Sequence, residues 1–171
     1  MKTFEELKED LLERAKKHHA CQDGYSMGLN AKSKQDLLKA ITYNWYWVLS
    51  TSKMIDANYL EKNFTEEELT EAGIYTRKEH TSNAKSFACG SATVEAYDSA
   101  TVEACDSATV KAYGSATVEA YGSATVKAYD NSYVEDCTKN INTVSDHGIV
   151  KDYYNHKIYI KKGKFEIIEI E

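Results

Sequence analysis

The residues of this chain that could bind a metal ion gather best in one short segment. His18, His19 and Cys21 lie close together, and Asp23 follows two residues later. Zinc uses such ligands, but adjacent histidines on a helix point in different directions, and no second pair follows at finger-like spacing. We therefore expect this segment to end a helix, where histidine is favourable, and we predict no metal site and no cofactor.

Signatures of catalysis are also missing from the sequence. It contains no phosphate-binding loop, no dinucleotide glycine fingerprint, no nucleophile elbow and no HExxH pattern. Half of the chain is a repeat with too few distinct residues to build a tuned pocket. The sequence favours a non-enzymatic protein, and the alternative is an enzyme with a pocket where the N-terminal part meets the repeat.

The repeat has a period of eight residues. Gly90-Ser91-Ala92-Thr93-Val94-Glu95-Ala96-Tyr97 begins five near-perfect copies that end at Tyr129, and weaker copies extend the pattern over roughly 82–161. Alanine, valine and alanine alternate with threonine and a charged residue, which predicts a strand. The Gly-Ser or Asp-Ser pair between copies predicts a turn.

The small inward residues favour a flattened β-solenoid with two units, or 16 residues, in each coil and with coils about 4.8 Å apart. Residues 16 apart should then stack. One column would be a tyrosine ladder that could mediate self-association, and the opposite column would mix cysteine and tyrosine. The ladder is Tyr97, Tyr113 and Tyr129; the mixed column is Cys89, Cys105, Tyr121, Cys137 and Tyr153.

Stacked cysteines 16 residues apart could form a disulfide, because the coil spacing lies within the permitted Cα separation. The sequence starts without the apolar run of a secretory signal, and Cys137 would have no partner. We therefore expect a reducing cytoplasmic setting and free thiols.

The charged position of the repeat predicts an acidic side. It would combine a column of Glu103, Glu119 and Glu135, which continues to Lys151, with Asp98, Asp130 and Asp146 at the adjoining corner. Stacked glutamates repel one another across a ladder. This side is either a solvated face that keeps the sheet soluble or a docking surface for a basic partner.

Residues 1–76 show helical periodicity. Thr3 and Thr65 begin capping boxes, Ser33 begins another helix, and Met54 to Phe64 suggests a shorter one, whereas Gly24 and Gly28 are expected to break the chain. The cluster Tyr43-Asn44-Trp45-Tyr46-Trp47 cannot all lie in a core. Trp45 is predicted to point inward, and Tyr43 or Trp47 is predicted to cover the junction with the solenoid or to bind a protein partner.

Composition excludes several classes of protein. The 171 residues carry a formal net charge of −6, which argues against direct nucleic-acid binding, and no apolar run is long enough to span a membrane. Hydrophobic residues make up 42% of the chain, enough for a core.

The sequence resembles two groups of proteins. Residues 90–129 resemble the 16-residue rungs of bacterial ice-nucleation proteins, but Thr93-Val94-Glu95 replaces their Thr-x-Thr arrays, so ice activity is not expected. The Trp-Tyr-Trp segment, Phe64-Thr65-Glu66-Glu67-Glu68-Leu69, Gly73-Ile74-Tyr75 and the Ser-Ala-Thr-Val repeats resemble small proteins of phages and mobile elements of gut bacteria. That resemblance implies an inhibitor of host defence, such as a CRISPR nuclease.

These observations predict an α+β fold in which a small helical bundle (1–80) docks on a two-faced β-solenoid (81–161), followed by a capping strand (162–171). The cap would be a hairpin of Tyr153–Ile160 and Lys164–Ile170, and Ile158 and Ile160 would lie on inward positions. That hairpin could alternatively be a dimer edge. The predicted function is stoichiometric binding of a basic host protein in the bacterial cytoplasm, and the alternative is a self-associating scaffold, a homodimer.

Overall fold

The repeat forms one strand and one corner for each eight-residue unit. The structure is a computed structural model and describes residues 1–140 and 142–168. Its strands are β1 (Ile74–Tyr75), β2 (Glu79–Ser82), β3 (Lys85–Ala88), β4 (Thr93–Ala96), β5 (Thr101–Ala104), β6 (Thr109–Ala112), β7 (Thr117–Ala120), β8 (Thr125–Ala128), β9 (Tyr133–Asp136), β10 (Thr143–Val144), β11 (Ile149–Asp152) and β12 (Lys157–Ile160).

The corners explain why each unit begins with glycine or aspartate. The first residue of a unit has a left-handed backbone, with φ of 57° at Asp98 and 62° at Gly114. Glycine adopts this conformation without strain, and aspartate tolerates it better than most residues. Position 1 is therefore restricted to these two residues in the regular units.

Two units make one coil, as the period predicts. The odd-numbered strands and β12 form a seven-stranded sheet, called sheet A, and the other even-numbered strands form a five-stranded sheet, called sheet B. Within each sheet, regular strands pair in parallel with a register of 16 residues, so Val102 lies beside Val118 and Val94 beside Val110. The predicted two-faced solenoid is confirmed.

The solenoid core is made of small residues. Val94, Val102 and Val118 are fully buried, together with the alanines on either side of each valine. Short side chains let the two sheets approach closely, as expected from the sequence. Towards the C-terminus Asp136 and Asp152 replace the second alanine, and both are buried. Asp136 accepts a hydrogen bond from the Thr138 amide, and Asp152 accepts two from Asn155.

The N-terminal part is a helical bundle, called the head. Its helices are α1 (Phe4–Lys17), α2 (Gln22–Asn30), α3 (Lys34–Tyr43), a π-helix (Tyr46–Thr51), α4 (Ala57–Asn63) and α5 (Glu66–Glu71). Both predicted capping boxes are present, at Thr3 and Thr65. Ser33 caps α3 as predicted. In the described ranges 1–140 and 142–168, we found no helix with the length and apolar character that a bilayer crossing requires.

Helix α2 corrects the expectation that two glycines break the chain there. A Cβ atom at Gly24 would lie 3.3 Å from Asn44 Oδ1, and one at Gly28 would lie 3.4 Å from Leu12. Both glycines are inside α2 and allow it to lie close to α1 and α3. They serve tight packing between helices instead of ending one.

The head docks on the outer surface of sheet A over its first coils. The ring centroids of Trp45 and Phe87 are 5.0 Å apart, and those of Tyr46 and Tyr121 are 4.4 Å apart. Phe87 occupies the repeat position that carries glutamate in the next coil. The prediction that Trp45 points inward is confirmed. Trp45 and Tyr46 also contact the solenoid at the junction, for which the sequence predicts Tyr43 or Trp47.

The chain reverses after β11 and forms a terminal hairpin with different strands from those predicted. Strand β12 pairs antiparallel with β11, so the hairpin turn is Tyr153–His156. Residues 164–168 form no strand, and the end of the predicted strand, Glu169 and Ile170, lies outside the described residues. The reversal leaves Ile158 66% exposed, so its expected inward position is wrong. Ile160 is partly exposed.

Candidate functional site

Sheet A carries a row of carboxylates on its outer surface. Glu103 on β5 lies beside Glu119 on β7, which lies beside Glu135 on β9. We call these three residues the glutamate stripe. The predicted stacking of these residues is therefore present, with one carboxylate on each of three successive coils.

The three members of the stripe differ in their partners. Lys85 forms an ion pair with Glu103 at 3.0 Å, and the Glu103 side chain is only 15% exposed beside the head. Glu119 accepts a hydrogen bond from the Tyr121 hydroxyl, and Glu135 accepts one from Tyr133 at 3.1 Å. Among the residues that the structure describes, neither Glu119 nor Glu135 forms an ion pair. Lys151 lies beside Glu135 on the next strand, β11, without forming an ion pair with it, and Glu119 has only glutamates as ladder neighbours.

Hydrogen bonding to these carboxylates changes the acidity of the tyrosines. Burial raises the pKa of Tyr121, and the hydrogen bond to Glu119 raises it further. Burial and the hydrogen bond to Glu135 likewise raise the pKa of Tyr133. Both phenols therefore remain neutral hydrogen-bond donors at physiological pH.

Sheet B shows how the same repeat position relieves repulsion. Glu95 lies beside Lys111, and their charged atoms are 2.9 Å apart. The Tyr97 hydroxyl also donates to Glu95, at 2.8 Å. Opposite charges across a ladder stabilise the sheet, whereas like charges destabilise it. The repeat therefore accepts glutamate or lysine at this position, and only sheet A places three glutamates in succession.

The aromatic head borders the stripe. The Tyr46 ring contacts Tyr121, whose hydroxyl donates to Glu119. Trp45 lies against Phe87, one coil away from Glu103. The acidic row and the docked edge of the head form one continuous surface, which the sequence alone did not bring together.

The predicted corner aspartates lie at the turns into sheet A, on the corner that also carries the tyrosine ladder. The Asp130 carboxylate accepts a hydrogen bond of 2.9 Å from the Gly114 amide of the preceding coil, and the Asp146 carboxylate accepts one from the Ser145 hydroxyl. Asp98 is exposed at the same corner. Asp130 and Asp146 therefore have roles in the turns themselves.

The tyrosine ladder forms as predicted. The rings of Tyr97 and Tyr113 are 4.9 Å apart and those of Tyr113 and Tyr129 are 4.8 Å apart, with interplanar angles of 10° and 7°. The faces of the central ring contact its neighbours in the same chain. Only ring edges and hydroxyls remain for an external partner.

The two other aromatic candidates lie apart from the stripe. Tyr43 is 78% exposed at the end of α3. Trp47 lines an apolar cavity of about 250 Å³ between α1, α2 and α3, together with Leu12, Tyr25 and Val48. The sequence gives no signal for this cavity, because it depends on how α2 packs.

The histidine segment ends a helix as expected. His18 is the C-cap of α1, and the Cys21 sulfur accepts a hydrogen bond from the Gly24 amide at the start of α2. All four cysteines are free thiols in the structure: Cys89 and Cys105 are buried, and Cys21 and Cys137 are exposed.

The fold and this surface define a β-solenoid with a helical head docked at one end and an acidic row on one sheet. Comparisons of the chain with known protein families, with curated proteins and with solved structures found no match.

Proposed function

We propose that this chain is a non-enzymatic protein that binds one basic partner protein through the glutamate stripe and the adjoining edge of the head. The observation that carries the proposal is the pair Glu119 and Glu135, which have tyrosine hydroxyls as donors but no cation within ion-pair distance in the described part of the chain. A positively charged partner would remove the repulsion between them. Complementary charges of this kind also speed association.

The partner class follows from the resemblance to phage and mobile-element proteins. A nucleic-acid-binding effector of bacterial defence, such as a CRISPR nuclease, holds its substrate in a basic groove. Carboxylates at regular intervals on a rigid sheet can occupy such a groove in place of phosphates. Binding would then inhibit the effector with a stoichiometry of one to one, in the bacterial cytoplasm.

Self-association is the second candidate function. It is favoured by exposed apolar residues near the C-terminal end of the solenoid, where Ile158, Ile167 and Ile168 are between 66% and 76% exposed. Strand β12 is also the outermost strand of sheet A, and unpaired strand edges are templates for another chain. A homodimeric scaffold would bury this edge.

The binding proposal is tested by neutralising the stripe. A partner is first captured from the bacterial host, purified, and titrated with the wild-type chain and with a triple variant carrying Glu103→Gln, Glu119→Gln and Glu135→Gln. Glutamine keeps a hydrogen-bond acceptor for the tyrosines and removes only the charge. We expect the dissociation constant to rise at least about tenfold, corresponding to ~1.4 kcal/mol.

The matched control replaces three exposed glutamates of the head, Glu9, Glu13 and Glu67, by glutamine. It has the same net charge as the stripe variant and should bind like the wild type. Equal affinity of all three proteins would reject the stripe as the docking surface. Inhibition of the partner by far less than one equivalent of the chain would reject stoichiometric binding in favour of an enzyme.

A further inference from the structure

Two thiols and one carboxylate meet at the corner of the solenoid that faces the head. Cys89 and Cys105 occupy the same repeat position on successive coils, and both are buried in the apolar cluster that joins the head to the solenoid. Asp106 follows Cys105 at the turn and is partly exposed. The repeat predicts that the two cysteines stack, but it does not predict that this aspartate joins them.

The three potential ligand atoms lie within 4.8 Å of one another. Zinc holds thiolate sulfur at ~2.3 Å and carboxylate oxygen at a slightly shorter distance, so two ligand atoms in a tetrahedral site are ~3.8 Å apart or slightly less. The observed group reaches that geometry with small side-chain movements. The two cysteines are on adjacent coils, whose backbones are joined by the hydrogen bond from Cys105 N to Ala88 O at 2.9 Å.

We propose that Cys89, Cys105 and Asp106 form a binding site for a thiophilic divalent cation of the zinc class. Two thiolates select zinc over magnesium or calcium, which prefer oxygen ligands. Three protein ligands leave one tetrahedral position for water. The ion would join two coils directly beneath the head, so it would stabilise the junction as well as the solenoid.

The proposed site opens onto a surface depression with a net negative charge, through which a cation can reach it. Asp106 lines a surface depression of about 530 Å³ together with Asp56, Glu61 and Arg77. Arg77 is the cation of this group, and it already contacts Glu61 at 3.6 Å. The carboxylates therefore outnumber the cation at the mouth of the site. The Asp106 carboxylate has only a long contact, 3.4 Å, with the Gly90 amide and no ion pair in the described part of the chain.

Binding is coupled to proton release. In the free protein the neighbouring Cys105 thiol, followed by burial, raises the pKa of Cys89. Zinc binds the thiolate form of cysteine, so each of the two thiols loses its proton when it ligates the ion. Each bound ion releases two protons, and the apparent affinity rises with pH.

The test uses the full chain, reduced with a phosphine, and zinc sulfate. Calorimetric titration in two buffers of different ionisation enthalpy should give one ion per chain and two released protons. Cobalt(II) should produce a thiolate-to-metal charge-transfer band, and one equivalent of zinc should raise the thermal midpoint.

Two variants separate ligation from folding. Cys105→Ser should abolish the cobalt charge-transfer band or reduce it to a single-thiolate intensity. Asp106→Gly introduces the residue that Gly122 supplies at the same corner one coil later, so the turn is retained. This variant should weaken zinc binding at least about tenfold.

Cys21→Ser and Cys137→Ser serve as controls, because both thiols are exposed and lie outside the group. They should bind zinc like the wild type. The proposal is rejected if the reduced chain gives no cobalt charge-transfer band or if Asp106→Gly binds zinc as tightly as the wild type. It is also rejected if Cys89 and Cys105 form a disulfide in air and the reduced protein does not bind zinc. None of these outcomes depends on the glutamate stripe.

Discussion

The sixth position of the repeat determines what each coil can contact. Phenylalanine at this position, Phe87, packs against Trp45 of the head, whereas Glu119 and Glu135 face outward on later coils. On sheet B, Lys111 at the same position pairs with Glu95. One position thus supplies a docking contact, an acidic row or an internal ion pair while the buried alanine and valine positions remain the same.

A second residue-scale determinant lies in the head. The Asp10 carboxylate on α1 accepts a hydrogen bond from the Tyr59 hydroxyl on α4, and it forms ion pairs with Lys2 at 2.9 Å and Arg14 at 3.1 Å. Burial by itself would raise the pKa of Asp10, but the hydrogen bonds from Tyr59, Lys2 and Arg14 outweigh it and lower the pKa. Asp10 therefore holds α1 and α4 together in its ionised form.

We predict that Asp10→Asn destabilises the protein at neutral pH by about 1.5–3 kcal/mol, the usual contribution of a hydrogen bond to a charged group. Because the folded-state pKa is lowered, this contribution is complete above the unfolded value of about 3.9 and is lost as the pH falls through the lower folded value. The free energy of unfolding is measured in urea at pH 7 and at pH 3 for the variant and the wild type. The difference between the two proteins should be smaller at pH 3 than at pH 7. Asp23→Asn, an exposed change on α2, is the control, and a difference that stays constant with pH would contradict the prediction.

At the scale of elements, the junction between α4 and the first coil depends on one glycine. A Cβ atom at Gly90 would lie 2.6 Å from the Thr76 carbonyl oxygen and 2.8 Å from the Ala57 Cβ of α4. Both contacts are too short to be tolerated, and neither atom belongs to a flexible side chain. The first coil can approach the head only if this position has no side chain.

We predict that Gly90→Ala destabilises the protein by about 1–3 kcal/mol more than Gly122→Ala does, the usual cost of overpacking. The two glycines have nearly the same φ, 62° and 63°, so the backbone strain of alanine is matched and the difference isolates the clash. At Gly122 the nearest atom would be 3.3 Å away, and at Gly163 none lies within 4 Å. The free energy of unfolding in urea is measured for Gly90→Ala, Gly122→Ala and Gly163→Ala. Equal losses of stability at positions 90 and 122 would show that the head does not pack tightly against the corner at Gly90.

The strands of the solenoid can be predicted from the sequence, whereas the docking of the head cannot. The strands follow from the alternation of residues within each unit. The 16-residue register follows from the small inward side chains around Val94, Val102 and Val110, which favour two closely packed sheets and hence two units in each coil. The docking of the head does not follow, since it depends on Phe87 in an irregular unit meeting Trp45 across the structure. Gly28 was misjudged because a glycine that ends a helix and one that permits close helix packing look alike in a single sequence.

The candidate site was predictable to the same extent. The row of glutamates follows from the register, but the ion pair of Glu103 with Lys85 and the contact of Tyr121 with Tyr46 require the packed structure. The group of Cys89, Cys105 and Asp106 combines two coils and a turn, and only the cysteine column is visible in the repeat.

At the scale of the whole molecule, the two ends of the solenoid differ. The head packs on the N-terminal coils of the solenoid, through Phe87 and, two coils later, Tyr121, whereas the last strand of sheet A is β12. This strand is short and carries Lys157, features that limit pairing of an edge with another chain, but Ile158 and Tyr159 are exposed. If copies of the chain associate, the exposed apolar residues favour this end as the interface.

We predict that any self-association uses the β12 edge and not the tyrosine ladder. Ile158→Lys should abolish a concentration-dependent increase in mass, because it places a charge on an exposed apolar edge. Tyr113→Ser should leave the mass unchanged, because the faces of that ring already contact Tyr97 and Tyr129. Size-exclusion chromatography with light scattering, over a wide range of concentrations, measures both effects, and Tyr43→Ser is the control for loss of an exposed tyrosine. If Tyr113→Ser dissociates a dimer that Ile158→Lys leaves intact, the interface lies on the tyrosine ladder. If the wild-type chain stays monomeric at every concentration, the scaffold function is rejected. Binding of a different protein then remains as the function of the acidic row.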